Sequence, residues 1–191
     1  NEILLTQKHP LPGEAIRAVA RKPQYHYGWD WGPKITTMGL GQDVEIHPWN
    51  DSRIENLTIE TLAIGDSAKL KMTAVVINDE DTDGSWSVAV NGNGQVISLG
   101  NAVKLNAGKQ VITVDITIPN PHLWWPNGSG DAFLYDVQFK LSSGRDKWLR
   151  TQKMGIRTVE FIHDDDSVGQ RFGFRVNGKD VFMRGANYIP Q

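Results

Sequence analysis

Tyr27-Gly28-Trp29-Asp30-Trp31-Gly32-Pro33 places a carboxylate between two indoles, with glycine on either side of the triplet. An indole face covers the apolar C–H face of a pyranose, and a carboxylate accepts hydrogen bonds from two sugar hydroxyls. The plainer alternative is a loop pinned by two buried tryptophans, with Asp30 accepting backbone N–H groups. Trp124 and Trp125, in Pro121-His122-Leu123-Trp124-Trp125-Pro126-Asn127-Gly128, suggest a second aromatic platform. A rigid connection before a strand, with one indole packed inward, explains them better. Asp79-Glu80-Asp81-Thr82-Asp83-Gly84 reads as the first half of a calcium loop, but its twelfth position is Val90, not the bidentate Glu such a loop requires. An acidic hairpin turn is expected there, and a solvated acidic loop at Asp164-Asp165-Asp166. His9, His26, His47, His122 and His163 show no helical H-x-x-x-H spacing, so neither a metal nor a cofactor is expected.

The elements that must position these residues are strands. Leu70, Met72, Ala74 and Val76 alternate with their neighbours, as do Trp86, Val88 and Val90. The same holds for Ile112, Val114, Ile116 and Ile118, and for Phe133, Tyr135, Val137, Phe139 and Leu141. Such period-two series put one apolar face on a core. Turn signals at Asp83-Gly84, Asn91-Gly92-Asn93-Gly94, Ala107-Gly108, Asn127-Gly128 and Ser143-Gly144 separate them. Many short strands at this spacing predict an all-β sandwich. Gly13–Arg21 is the best helix candidate, and it is short. Asp43–His47 reads as strand-like. Phe172–Val176 and Asp180–Arg184 are expected to pair across Asn177-Gly178, a type I′ signal.

Composition narrows the function classes. In 191 residues, a formal net charge of −2 offers no general basic field for nucleic acid. The absence of cysteine removes disulfides, thiolate metal sites and a cysteine nucleophile. Apolar runs are short, as in Thr73–Ile77, so no membrane-spanning helix is expected. The chain opens on Asn1 and closes on Tyr188-Ile189-Pro190-Gln191, as if both ends were cut from a longer protein.

Four segments in order carry a family resemblance. They are Tyr27–Pro33, Pro121–Gly128, Gly155-Ile156-Arg157-Thr158-Val159, and the stretch from Phe174-Arg175-Val176-Asn177-Gly178-Lys179 through Arg184-Gly185-Ala186-Asn187-Tyr188-Ile189-Pro190. Together they resemble glycoside hydrolase family two. The Trp-Asp-Trp-Gly-Pro segment resembles its β-mannosidase branch. The resemblance implies a sugar-binding-like jelly roll, then an immunoglobulin-like sandwich, then a catalytic (β/α)8 barrel. Residues 1–48 would be the end of the jelly roll, 49–160 the sandwich, and 161–191 the lead-in hairpin and first strand of the barrel. A barrel takes about 250 residues, and about 30 follow residue 160.

The resemblance also implies roles. The parent enzyme would hydrolyse terminal non-reducing β-D-mannose residues with retention. Its two catalytic glutamates would lie beyond residue 191, because Glu2, Glu14, Glu45, Glu55, Glu60, Glu80 and Glu160 match neither catalytic motif. This chain alone is therefore expected to be inactive. Trp29, Asp30 and Trp31 would help shape the pocket for the terminal sugar. Arg184 and Asn187 would lie near the active-site floor, with a structural ion pair for Arg184 of equal weight. A β-mannoside is the expected partner of the full-length enzyme, with no nucleic acid or membrane. Residues 1–48, separated from their sheet, would favour a non-native dimer through exposed edges. A stand-alone carbohydrate-binding sandwich and an immunoglobulin-type interaction module are the alternative readings.

Overall fold

A computed structural model of the chain describes residues 21–37 and 39–188. Two compact units are distinguished, one comprising Asn1–His47 with Ala186–Gln191 and the other Pro48–Gly185.

The larger unit is built on a β-sandwich. Strands β1 (Ser52–Ile64), β2 (Ser67–Asn78) and β5 (Gly108–Pro119) form one sheet in the order β1-β2-β5. The facing sheet, ordered β4-β3-β6-β7, contains β3 (Thr82–Gly92), β4 (Gln95–Leu105), β6 (Tyr135–Ser143) and β7 (Asp146–Met154). All pairings in both sheets are antiparallel. Alternating residues from the two inner faces make the core: Leu70, Met72 and Val76 from β2, Val114, Ile116 and Ile118 from β5, and Val88, Val137, Phe139 and Leu141 from the opposite sheet. The predicted all-β sandwich is thus the observed architecture.

A third, small sheet follows in the order β10-β9-β8, from β8 (Val159–Ile162), β9 (Gly173–Val176) and β10 (Lys179–Val181). Asn177 and Gly178 have φ of 50° and 76°, and Val176 pairs with Lys179. That is the two-residue turn expected of Asn-Gly, because type I′ needs positive φ at both central positions. The strands are shorter than predicted, and Phe182–Arg184 lies outside the ladder. Arg175 on β9 stands opposite both Glu160 on β8 and Asp180 on β10. The hydrogen bond to Asp180, 2.7 Å from Nε, and the charge beside it raise the guanidinium pKa above its ordinary value.

Four expectations need correction or placement. Asp83-Gly84 is not a turn. Both residues lie within β3, opposite Lys104 and Val103. Glycine stands at 84 because a Cβ there would lie 2.7 Å from the Ser142 carbonyl oxygen of β6. The turn before β3 is Asp79–Asp81, where Asp81 Oδ1 accepts the Ala107 N–H at 2.8 Å. Asp43–His47 does not form a strand. Val44 and Ile46 are exposed, and alternation becomes a strand only where a neighbour completes the ladder. The helix candidate Gly13–Arg21 lies, apart from Arg21, outside the described residues. Asp164–Asp166 does form an acidic loop, but a structured one. Asp166 Oδ1 accepts the N–H groups of Val168 and Gly169 at 2.9 and 2.8 Å.

Tyr135 anchors the sandwich end. It is fully buried, and its hydroxyl oxygen accepts the His122 N–H at 2.9 Å, thirteen residues upstream. Gly92 packs against its ring so closely that a Cβ would lie 2.5 Å from Cδ1. Gly92→Ala is expected to destabilise the fold by about 2 kcal/mol, as overpacking of a closed core does. Urea unfolding checks this, and an unchanged midpoint would show that the ring can yield.

Candidate functional site

The Trp-Asp-Trp segment lies in the smaller unit. A 3-10 turn at Gln24–Tyr27 ends at Gly28, whose N–H donates to the Tyr25 carbonyl at 3.1 Å. Gly28 has φ of 107°, a conformation that a side chain strains. The chain then folds back between Trp29 and Gly32, whose backbones exchange bonds of 3.5 and 3.4 Å. Asp30 and Trp31 occupy the tip of this turn. Tyr25 braces it, stacking on His26 at 4.8 Å and meeting the Trp31 ring at 5.8 Å. Thr36 Oγ1 donates to the His26 carbonyl at 3.2 Å.

Neither indole of the turn is buried. Trp29 is 51% exposed and Trp31 43%. Asp30 is exposed between them. This differs from a loop held by two buried tryptophans, and it leaves the Asp30 carboxylate open to solvent. Asn187 belongs to the same unit and is exposed. Arg184 belongs to the larger unit, exposed beside a groove of about 310 Å³ lined by Asn127, Asp180 and Met183. Among the described residues Arg184 makes no ion pair.

The second aromatic pair is structural. Trp124 N–H donates to the Ile156 carbonyl at 2.9 Å, and the Arg157 guanidinium lies 4.5 Å over its ring. A Cβ at Gly155 would approach that indole to 2.8 Å. Trp125 has the Lys179 ammonium 5.2 Å over its ring and Gly130 against its indole. Both indoles are half-buried and engaged by neighbours, as a rigid connection requires.

Asn177 ties this connection to the small sheet. Its Nδ2 donates to the Trp124 carbonyl at 3.0 Å, and its Oδ1 accepts the Thr158 N–H at 3.0 Å. The turn signal showed where Asn177 sits but not these two bonds.

Asp146 was not singled out by its sequence context. It opens β7 in the interior and accepts the N–H groups of Asn50, Asp51 and Ser52 at 3.1, 2.6 and 2.8 Å, with Asn50 Nδ2 at 2.9 Å. Burial pushes its carboxyl pKa up, but the bonds from Asp51, Ser52 and Asn50 outweigh this and hold it at about 2. Beside it Ser52 Oγ donates to Ser143 Oγ at 2.9 Å, and Trp148 Nε1 donates to the Ser52 carbonyl at 2.6 Å. No local pattern announces such a clamp, because its partners lie more than ninety residues away.

The described carboxylates do not assemble into a metal site of three or more His, Asp or Glu side chains. Glu45 pairs with His47 at 2.7 Å, Glu55 with Lys109 at 3.3 Å, and Glu160 with Arg175 at 3.6 Å.

Known proteins match this arrangement along nearly its whole length. Residues 2–42 match the glycosyl hydrolase 2 galactose-binding domain-like family. A β-mannosidase B of Emericella nidulans is 34% identical over 97% of the chain, and one of Aspergillus fumigatus is 36% identical over 93%. Among solved structures, a β-D-mannosidase from Dictyoglomus thermophilum superposes with a TM-score of 0.86 at 29% identity over 99% of the chain. An exo-chitosanase from Amycolatopsis orientalis gives 0.66 at 27% identity over 83%. The chain spans about a quarter of these mannosidases or less: 23% and 21% of the fungal proteins and 24% of the bacterial one. Residues 52–157, more than half of the chain, match glycosyl hydrolases family 2, and with the sandwich and the ordered motifs they show that the chain belongs to that family.

Proposed function

We propose that this chain is a non-catalytic portion of a retaining exo-β-mannosidase, which removes terminal non-reducing β-D-mannose residues. The observation that carries this reading is the Trp29–Gly32 turn, with an exposed carboxylate at its tip between two exposed indoles. The mannosidases that share the chain's sequence and fold favour β-mannoside as the sugar.

In this reading Asp30 accepts hydrogen bonds from two hydroxyls of the terminal mannose, and Trp29 or Trp31 covers its apolar ring face. Arg184 and Asn187 would lie near the active-site floor of the full-length enzyme. The sandwich does no bond chemistry. Retaining glycosidases use two carboxyl groups about 5 Å apart. The pairing of Glu55 with Lys109 and of Glu160 with Arg175 fits structural roles, so the catalytic pair would come from outside these residues.

The test is hydrolysis of p-nitrophenyl β-mannoside by this chain and by a polypeptide of the full length of its relatives. Activity in the longer protein alone supports the proposal. Activity in the 191-residue chain overturns its non-catalytic part. Activity in neither overturns the mannosidase assignment. The exposed indoles also favour a second reading, a carbohydrate-binding module, for which this chain alone would bind a mannoside or polysaccharide at micromolar concentration.

A further inference from the structure

We propose that β4 is a self-association edge, pairing antiparallel with β4 of a second copy of this chain about a two-fold axis at Ser98. The sandwich leaves β1, β4, β5 and β7 at its sheet edges. Three of them carry features that discourage pairing. β1 has two irregularities, at Ile54/Asn56 and Thr61/Ala63. β5 carries Lys109 and Asp115, and β7 carries Asp146, Lys147, Arg150 and Lys153. Bulges and charges are common means of blunting an edge. β4 has neither protection over most of its length. Its register with β3 is unbroken from Gln95 to Leu105, and Lys104 is its single charged residue.

The backbone of β4 also indicates which groups are open. Lys104 O accepts from Gln110 Nε2 at 3.0 Å, and Ala102 N donates to Asn101 Oδ1 at 2.9 Å. Both bonds lie outside the β3–β4 ladder. In an antiparallel edge strand, backbone groups turn inward and outward on alternate residues. The even-numbered residues of β4 therefore turn outward, and among the described residues the N–H and C=O groups of Val96, Ser98 and Gly100 have no partner. The uncapped, charge-free stretch is Gln95–Asn101, and its centre is Ser98.

A two-fold axis there sets Ser98 opposite its own copy, with each partner's N–H facing the other's C=O. Ile97 meets Leu99 on the inner face, and Val96 meets Gly100 on the outer face, where glycine leaves room for it. No charge faces a like charge. The apolar side chains favour the same union. The four-stranded sheet is one strand wider than its partner sheet, which leaves Leu99 38% exposed on the inner face, and Val96 on the outer face is 70% exposed. Pairing would join two such sheets into one continuous sheet and cover Leu99 from the open side. A closed two-fold contact of this kind stops at the dimer.

Sedimentation of the chain up to on the order of 100 µM is expected to show a reversible dimer. Val96→Lys should weaken it at least tenfold while leaving the unfolding midpoint unchanged at dilutions where both chains are monomeric, since Val96 is largely solvent-exposed. The chain has no cysteine, so Ser98→Cys introduces a single thiol. Facing Cα atoms about 5.5 Å apart suit a disulfide. Oxidised Ser98→Cys should therefore form a covalent dimer much faster than Leu149→Cys on the β7 edge. A chain that stays monomeric, a dimer indifferent to Val96→Lys, or cross-linking no faster than Leu149→Cys would each overturn the proposal.

Discussion

Asp146→Asn should lower the stability of the sandwich at pH 7 by about 3 kcal/mol, or roughly 6–12 °C in melting temperature for a domain of this size. The wild-type carboxylate gathers three consecutive backbone N–H groups at the point where the chain enters β1, and joins them to the start of β7. These are charge-assisted bonds in the interior, where an unsatisfied donor is costly. An amide has one accepting oxygen, and its NH2 group would face donors.

The same site should make stability depend on pH. The carboxyl titrates at about 2 in the folded chain against 3.8 without these interactions. Its folded pKa is depressed, so the folded state favours the ionised form. The resulting stability is fully present above the unfolded pKa and is lost as pH falls through the folded one. A shift of this size corresponds to about 2 kcal/mol. Urea unfolding of both proteins between pH 6 and roughly pH 2 should show the gap between them narrowing as acid is added, most of the change falling below about pH 4. A gap that is independent of pH would mean the cost of Asp146→Asn is steric and not electrostatic.

Asp30→Ala, made in a polypeptide of the length of its relatives, should reduce kcat/KM on p-nitrophenyl β-mannoside by about a hundredfold or more. Hydrogen bonds from neutral hydroxyls to a carboxylate contribute about 1.5–3 kcal/mol each, and two of them span that range. The fold should not change, because Asp30 is exposed at the tip of a turn closed by Trp29 and Gly32 backbone bonds. An unchanged melting temperature with lost activity would support a sugar-contacting role. Unchanged kinetics would remove Asp30 from the pocket and leave the two indoles as its only candidates in that turn.

Much of the fold was legible in the residues themselves. β2, β5 and β6 alternate cleanly because each buries a continuous inner face: Leu70 to Val76, Ile112 to Ile118, Tyr135 to Leu141. β1, β4 and β7 were not recognised. All three are edge strands whose inner faces are only partly covered, so selection for alternation is relaxed and the period fades. Gly84 misled for a related reason. A glycine demanded by a neighbouring backbone has the same letter as a glycine that makes a turn.

Of the candidate site, the family resemblance and residue type together singled out Trp29, Asp30 and Trp31, since a carboxylate between two indoles is suited to a sugar ring. Their exposure was decided by the turn that closes between Trp29 and Gly32. The opposite outcome held for Trp124 and Trp125, whose faces are occupied by Arg157, Lys179 and two glycines from elsewhere in the chain.

Local pattern by itself determined the all-β class, strands β2, β3, β5 and β6, the Asn177-Gly178 hairpin and the family motifs, because these depend on residues adjacent in the chain. Only the tertiary structure decided the Asp146 clamp, the contact of Gly92 with Tyr135 and the bonds of Asn177. Each of these joins groups distant in sequence, and a close approach in space leaves no period or spacing along the chain to read.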